Sequence, residues 1–176
     1  DAGVYPPETR EFNKIGEILR IAIAPGAYHA TKRLPVQKFI EIINELNSKY
    51  DAEIVLIGGT KDKTITDEIK SNVNCLVVDK SGSESILDTA RELDKCNLLI
   101  SNDTGVVHIA AARKVPVALI YGSTVKELGF IPYKTVYRII EKELDCRPCT
   151  HIGLDKCPLL HFNCINTINV ADVLKS

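Results

Sequence analysis

Short apolar runs alternate with amphipathic segments along most of the chain. Each run is only a few residues long and apolar throughout, which is typical of a buried strand. Between the runs, apolar residues recur three and four positions apart, as they do on one face of a helix. The predicted strands cover 21–24, 54–57, 75–78, 98–100, 116–121 and 136–140, and the predicted helices cover 35–46, 65–69, 86–93, 105–112 and 170–174.

This alternation predicts an α/β fold. Strands that are apolar along their whole length, each followed by a helix, form a mostly parallel sheet with helices on both faces. Because such crossovers are right-handed, we predict a doubly wound, Rossmann-like domain over residues 20–176 and leave its strand order open. Residues 1–19 begin with the composition of a linker and continue with Phe12, Ile15 and Leu19 at helical spacing, so we predict a linker with a short linker helix.

The composition and net charge of the chain argue against several classes of function. The chain has 176 residues, of which 45% are hydrophobic and 26% charged, as expected for one globular domain. A formal net charge of −1 gives no basic field for nucleic acid or anionic lipid. No apolar run is long enough for a membrane span. The chain begins at Asp1 rather than Met, and we interpret it as a piece of a longer or processed protein.

Glycine and small polar residues follow four of the predicted strands. In a parallel sheet these strand ends lie on one edge, which we call the carboxyl edge. Several helix N-termini at this edge favour a phosphate or diphosphate ligand. The sequence has neither a Gly-x-Gly-x-x-Gly motif after its first strand nor a Walker A loop, which argues against a common dehydrogenase and a P-loop ATPase. The four segments are Pro25-Gly26-Ala27, Gly58-Gly59-Thr60, Asn102-Asp103-Thr104-Gly105 and Gly122-Ser123-Thr124.

Each candidate site residue also has a purely structural interpretation. Lys32 is the natural counter-ion for a phosphate, or else a solvated surface lysine. Asp62 accepts hydrogen bonds from ribose hydroxyls, or else belongs to the first turn of a helix. Asp103, or Thr104 beside it, contacts a ligand or caps the following helix. His108 lies one helical turn further and points to the same place, or is a half-buried histidine of the helix face.

Several short motifs follow one another in a specific order. They are Pro25-Gly26-Ala27, Lys32-Arg33-Leu34-Pro35, Gly58-Gly59, Asn102-Asp103-Thr104-Gly105 with His108, and a tail with Asp145-Cys146-Arg147-Pro148-Cys149, Cys157-Pro158, Cys164 and Val170. From about Arg20 onwards, this set resembles glycosyltransferase family 9, the ADP-heptose:lipopolysaccharide heptosyltransferases. The chain departs from the family at Leu34, where a tryptophan is usual, and at Tyr28-His29, where some members have hydroxyl residues.

The resemblance implies the C-terminal, donor-binding half of a GT-B enzyme. Such an enzyme transfers a heptose from ADP-heptose to a lipid-linked acceptor of the lipopolysaccharide inner core, with inversion and without a required cofactor. The acceptor and the general base belong to an N-terminal half that this chain lacks, so the chain alone is expected to be inactive. The family implies a cytoplasmic location, peripheral to the inner membrane, and no nucleic-acid partner.

The resemblance also implies roles for the candidate residues. Lys32 stabilises the leaving diphosphate and is the catalytic residue of this half. Asp62 holds the ribose, and Asp103 and His108 meet the sugar or the phosphate next to it. Backbone groups complete the donor site at Gly26, Ala27, Asp103, Thr104 and Gly105.

The tail over 145–165 carries four cysteines, Cys146, Cys149, Cys157 and Cys164, spaced C-x2-C-x7-C-x6-C. A structural zinc or iron–sulfur site, disulfides and free thiols are three interpretations of this pattern. Two other functions stay open: a nucleotide-sugar-binding module without transferase activity, which includes an epimerase-like domain, and a structural domain held by the tail's metal.

Overall fold

Six short strands form one parallel sheet in the computed structural model, which describes residues 18–175. The strands are β1 (Arg20–Ala24), β2 (Glu53–Leu56), β3 (Val77–Asp79), β4 (Leu98–Asn102), β5 (Val117–Ile120) and β6 (Tyr137–Ile140). Their order across the sheet is β3-β2-β1-β4-β5-β6, with all neighbours parallel. This arrangement confirms the predicted doubly wound, Rossmann-like fold. The linker helix predicted for residues 1–19 falls almost wholly outside the described residues.

Six helices accompany the sheet within residues 18–175: α1 (Val36–Tyr50), α2 (Lys63–Asn72), α3 (Ile86–Leu93), α4 (Gly105–Ala112), α5 (Asn163–Asn166) and α6 (Val170–Leu174). Helix α1 contacts α2 and α6, whereas α3 contacts α4. Single 3₁₀ turns occupy Ala30–Lys32, Thr60–Asp62 and Lys126–Leu128. None of the helices in this part of the chain is both long and apolar enough to cross a membrane.

Strand β1 shows why both faces of the sheet are covered. Ile21 and Ile23 are buried in a core with α1 and α6, while Ala22 and Ala24 are buried in a second core with α3 and α4. Successive side chains of a strand point to opposite faces, so a strand between two helical layers must be apolar at every position. The small side chains on the second face match the small residues of α4, such as Ala110.

Some element boundaries differ from the prediction. Strand β3 begins at Val77, where its pairing with Ile54 of β2 starts, and the apolar Leu76 before it is 96% exposed. The sequence makes Ser83 a plausible N-cap of helix α3, but the cap is Ser85, whose hydroxyl accepts a 3.3 Å hydrogen bond from Asp88 N. The Ser83 hydroxyl instead accepts a 3.1 Å hydrogen bond from Ser85 N, just before the helix begins. Helix α5 was missed because one helical turn has too few residues to show a period.

The strand order fixes where a ligand can bind. The chain adds β2 and β3 on one side of β1, and then returns to place β4 on the other side, with Ala24 beside Ser101. The connections after β1 and β4 therefore separate at the carboxyl edge. In open α/β sheets such a switch point is the usual place for a ligand crevice.

Candidate functional site

Asn102, the last residue of β4, fixes the connection that follows β1. Its side chain is fully buried and donates a 2.7 Å hydrogen bond to the carbonyl oxygen of Pro25. Its amide oxygen accepts a 3.1 Å bond from Leu34 N. Both ends of the loop over 25–34 are thus held by one residue of the neighbouring strand.

The end of β5 supports the same loop from the other side. Ser123 N donates to the carbonyl oxygen of Thr31 at 3.1 Å, and Ser123 Oγ donates to Thr31 Oγ1 at 2.8 Å. A Cβ at Gly122 would lie 2.3 Å from the Thr31 carbonyl oxygen, so only glycine permits this approach. The polar residues predicted at this strand end are therefore buried supports and do not line the open site.

Lys32 and Asp103 form an ion pair between the two loops. Lys32 Nζ lies 2.7 Å from Asp103 Oδ2, and the two side chains are only 14% and 6% exposed. Thr124 Oγ1 donates a further 2.7 Å hydrogen bond to the same carboxylate oxygen. Lys32 is consequently no solvated surface lysine, and the carboxylate of Asp103 is directed to Lys32.

The predicted side-chain cap of α4 is wrong. Thr104 occupies the N-cap position, but within the described chain its side chain makes no capping hydrogen bond. Asp103 does not replace it, because its carboxylate is directed to Lys32 and Thr124. The next residue, Gly105, is exposed, and an added Cβ there would meet nothing within 4 Å. The start of α4 is therefore open to solvent at Gly105, where an anion can approach its backbone, while Val107 N already donates to the carbonyl oxygen of Thr104 at 3.1 Å.

A cleft of about 180 Å³ lies over these groups, and we call it the Lys32 cleft. It brings together five residues predicted from the sequence: Lys32, Asp103, Thr104, Gly105 and His108. His108 is exposed, so its predicted alternative as a half-buried histidine is wrong. Three further residues complete the lining, Phe130, His151 and Ile152, and sequence reasoning missed all three.

The other predicted residues lie at the ends of β1 and β2, outside the lining of the Lys32 cleft. Asp62 Oδ2 accepts a 2.9 Å hydrogen bond from Gly59 N. The Asp62 carboxylate also lies against Gly26, where an added Cβ would be 2.0 Å from Asp62 Oδ1. The carboxyl edge thus places Asp62 directly beside the Gly26-Ala27 turn that leads to Lys32.

A larger cleft of about 320 Å³ lies beside α3. Its charged residues pair with one another: Arg91 with Asp88 and Lys95 with Glu92, each at 2.7 Å. It contains none of the predicted site residues, and four of its five charged side chains are held in these two ion pairs. For these reasons we take the Lys32 cleft as the candidate site. The lining of the larger cleft is Ile57, Lys80, Ser83, Asp88, Thr89, Arg91, Glu92 and Lys95.

Tyr121 supports one wall of the Lys32 cleft. It is completely buried after β5, and its hydroxyl donates a 3.0 Å hydrogen bond to the carbonyl oxygen of Phe130. Burial, followed by the nearby charge of Asp103, raises the pKa of the Tyr121 phenol far above its ordinary value. Tyr121 therefore stays a neutral hydrogen-bond donor and keeps Phe130 at the cleft.

None of the four tail cysteines forms a disulfide in the described chain; two are half-buried and two buried. Burial raises the pKa of the Cys149 and Cys164 thiols. Burial also acts on Cys157, but backbone N–H groups of residues 159–162 bond its sulfur and bring its pKa below the ordinary value. Within residues 18–175, no three His, Cys, Asp or Glu side chains are arranged as a ligand set for a metal. The tail therefore has thiols of a suitable kind but no assembled metal centre.

Comparison with known proteins gives one consistent family. A family model described as glycosyltransferase family 9 (heptosyltransferase) matches residues 7–158. Lipooligosaccharide heptosyltransferase 2 of Campylobacter jejuni serotype O:2 is 24% identical over 159 residues, which are 88% of this chain and 49% of that protein. The chain thus spans about half the length of this curated relative.

Solved structures share the fold. The ADP-heptose lps heptosyltransferase II of E. coli superposes with a TM-score of 0.65 at 24% identity, over 76% of this chain and 44% of that one. The heptosyltransferase TibC, described as dodecameric and iron-containing and solved with ADP-D-beta-D-heptose, gives a TM-score of 0.68 at 16% identity. That match covers 97% of this chain and 45% of TibC.

Proposed function

The chain belongs to glycosyltransferase family 9, and we propose that it is the donor-binding domain of an enzyme that transfers a heptose from ADP-heptose to the lipopolysaccharide inner core. The observation that carries this proposal is the Lys32 cleft, where Lys32, paired with Asp103, lies beside the N-terminus of α4, which has no side-chain cap, at the switch point of the sheet. The relatives named above are heptosyltransferases, and TibC was solved with an ADP-heptose. Both facts support the choice of donor.

The diphosphate of the donor would bind between the loops that follow β1 and β4. Lys32 supplies the positive charge, and backbone groups supply hydrogen bonds at the start of α4 and at Gly26-Ala27. A hydrogen bond to a charged group contributes roughly 1.5–3 kcal/mol. Because negative charge grows on the diphosphate as ADP leaves, these groups stabilise the transition state more than the bound donor.

The remaining roles follow from position along the carboxyl edge. Asp62, beside Gly26, would hold the ribose hydroxyls of the nucleotide. His108 lines the Lys32 cleft and would contact the sugar or its phosphate. Asp103 would contact the sugar too, while it also holds Lys32 in place.

The transfer itself would need a second half. We propose inversion: the acceptor hydroxyl attacks the anomeric carbon, the bond to the diphosphate oxygen breaks, and the electron pair leaves with ADP. A base of an N-terminal, acceptor-binding half takes the proton of the hydroxyl. Such an enzyme would act in the cytoplasm on a lipid-linked acceptor at the inner membrane surface.

In this proposal, Lys32 and the backbone of α4, and no bound metal, stabilise the leaving diphosphate. A metal at the tail cysteines stays a prediction, and its role would be structural. TibC is described as iron-containing, but the tail of this chain has no assembled ligand set among its described residues.

A binding experiment with two nucleotides tests the proposal. We expect the chain to bind ADP more tightly than AMP in calorimetry, because only ADP has an outer phosphate for Lys32. Lys32→Ala should weaken ADP binding about tenfold or more and AMP binding far less. Lys70→Ala, which removes an exposed lysine from α2, is the matched control and should change neither affinity. Equal losses for ADP and AMP in Lys32→Ala would contradict the assignment of Lys32 to the diphosphate.

A nucleotide-sugar-binding module without transferase activity, epimerase-like or not, is the alternative. It predicts the same ADP binding, and the two proposals separate in an assay of the complete protein. Transfer of heptose to a lipid A precursor supports the transferase. Binding of ADP-heptose without transfer supports the module.

A further inference from the structure

The segment over 149–155, which we call the tail loop, folds back onto the loop that follows β1. Thr31 N donates to the carbonyl oxygen of Leu154 at 3.0 Å, and Leu154 N donates to Thr31 Oγ1 at 2.9 Å. Cys149 N donates to the carbonyl oxygen of Ser123 at 3.2 Å. The tail loop is thus hydrogen-bonded near both of its ends to Thr31 and Ser123, which support the Lys32 cleft from behind.

Gly153 determines how closely the tail loop packs. Its φ is +116°, a conformation that residues with a side chain rarely adopt. An added Cβ would also lie 2.7–2.9 Å from the side chain of His29. The ring of His29 is in turn held by Asp155, with 3.3 Å between Nδ1 and Oδ1. The tail loop can therefore approach His29, in the loop that follows β1, only with glycine at position 153.

This packing delivers His151 to the Lys32 cleft. His151 lines it together with Lys32, Asp103 and His108. In the described part of the chain, the rings of His108 and His151 have no hydrogen-bond partner. Their N–H groups are thus available to a ligand.

The charged side chains of the Lys32 cleft leave a bound diphosphate in need of a further hydrogen-bond donor. Lys32 shares its ammonium group with Asp103, so the two formal charges cancel where the diphosphate would bind. A diphosphate carries more than one negative charge and binds best to several charge-assisted donors. Arg33 does not help, because its guanidinium bonds the carbonyl oxygens of Ala27 and Tyr28 at 2.6 and 2.8 Å.

We propose that His151 is a diphosphate-binding residue, which donates a hydrogen bond from its imidazole ring to the outer phosphate of the nucleotide donor. The proposal rests on the proposed function, since it assumes that a nucleoside diphosphate occupies the Lys32 cleft. It assigns the tail loop a part in the donor site. The loop after β1, the start of α4 and the tail loop then surround one anion from three sides.

Calorimetry with ADP and AMP tests this assignment on the full chain. His151→Ala should weaken ADP binding about tenfold, the lower end for a hydrogen bond to a charged group, and change AMP binding less than about twofold. His151→Gln should regain part of the ADP affinity, because its amide N–H still donates. His161→Ala is the matched control: His161 belongs to the same tail but does not line the cleft, and both affinities should stay unchanged.

The outcomes distinguish a failure of the His151 assignment from a failure of the proposed function. If the parent chain prefers ADP to AMP and His151→Ala keeps that preference, His151 does not contact the outer phosphate. An equal loss of ADP and AMP affinity, with no rescue by His151→Gln, would mean that His151 only supports the loop, and would overturn the assignment. A parent chain that binds no ADP would contradict the proposed function itself and His151's role with it. Because His151 is exposed, the variants should keep the melting temperature of the parent.

Discussion

Asp103→Asn separates the two roles that we propose for Asp103, as the ion-pair partner of Lys32 and as a contact of the donor sugar. The asparagine keeps an oxygen for the Thr124 hydroxyl, which now bonds Asp103 Oδ2 at 2.7 Å. It removes the negative charge that lies 2.7 Å from Lys32 Nζ. The variant therefore leaves the shape of the site unchanged and deletes one ion pair.

The expected loss of stability follows from the burial of the pair. Removing one partner of a fully buried ion pair costs about 3–5 kcal/mol. Lys32 is 14% exposed and lines an open cleft, so its ammonium group can regain water. We therefore expect the free energy of unfolding to fall by about 1.5–3 kcal/mol, the contribution of a hydrogen bond between charged groups.

The effect on ligands should differ between ADP and ADP-heptose. Without the charge of Asp103, the ammonium group of Lys32 interacts with the diphosphate alone, so ADP affinity should stay the same or rise. ADP-heptose loses the carboxylate that would accept hydrogen bonds from its sugar hydroxyls, because an amide offers one oxygen acceptor where a carboxylate offers two. The ratio of ADP-heptose to ADP affinity should therefore fall.

Denaturant unfolding and parallel titrations with the two ligands measure both effects. Glu45→Gln is the matched control, since it removes the carboxylate that lies 2.8 Å from Lys49 on α1, a pair whose side chains are about half exposed and do not line the Lys32 cleft. It should lower stability by only about 0–1 kcal/mol and leave both ligands unaffected. If Asp103→Asn binds both ligands as the parent does, Asp103 has no contact with the sugar.

Three more outcomes are expected. The chain alone should bind ADP but transfer no heptose from ADP-heptose to a lipid A precursor, and turnover by the isolated chain would disprove the need for a second half. Gly153→Ala should lower the free energy of unfolding by about 1–3 kcal/mol and weaken ADP binding, whereas Gly129→Ala, at φ +85° with no atom near its Cβ, should lower stability only. If the tail holds a structural metal, metal analysis of reduced, freshly purified protein should find about one metal ion per chain, and a Cys149→Ser, Cys157→Ser double variant should lose it. Metal-free protein with four titratable tail thiols would contradict the structural-metal interpretation.

The sheet could be predicted because its signal is local. Every strand between two helical layers must be apolar along its length, and each helix shows its own period. The strand ends could be located for the same reason, and they are enough to place Lys32, Asp103 and His108 at one edge of the sheet. The boundary at Leu76 was missed because hydropathy alone does not reveal an exposed leucine.

The tail loop could not be predicted, because the contacts that place it join residues far apart in the chain. Thr31 and Leu154 pair through backbone atoms and one hydroxyl, which leave no pattern in the sequence. His151 looked like any histidine of an irregular segment. Gly153 was the one residue with a readable signal, since glycine in an irregular loop often marks a positive φ or a close approach.

The Lys32–Asp103 pair also bears on how the proposed reaction would be accelerated. A bound donor has to share Lys32 with Asp103, which limits how strongly the ammonium group stabilises the ground state. As the bond to the anomeric carbon breaks, negative charge on the diphosphate increases while the charge of Asp103 stays constant. The attraction between Lys32 and the diphosphate then becomes stronger. Lys32 therefore stabilises the transition state more than the bound donor, which is the condition for a faster chemical step. Because Asp103 also repels the growing charge, removal of its carboxylate would let Lys32 hold both the donor and the transition state more tightly.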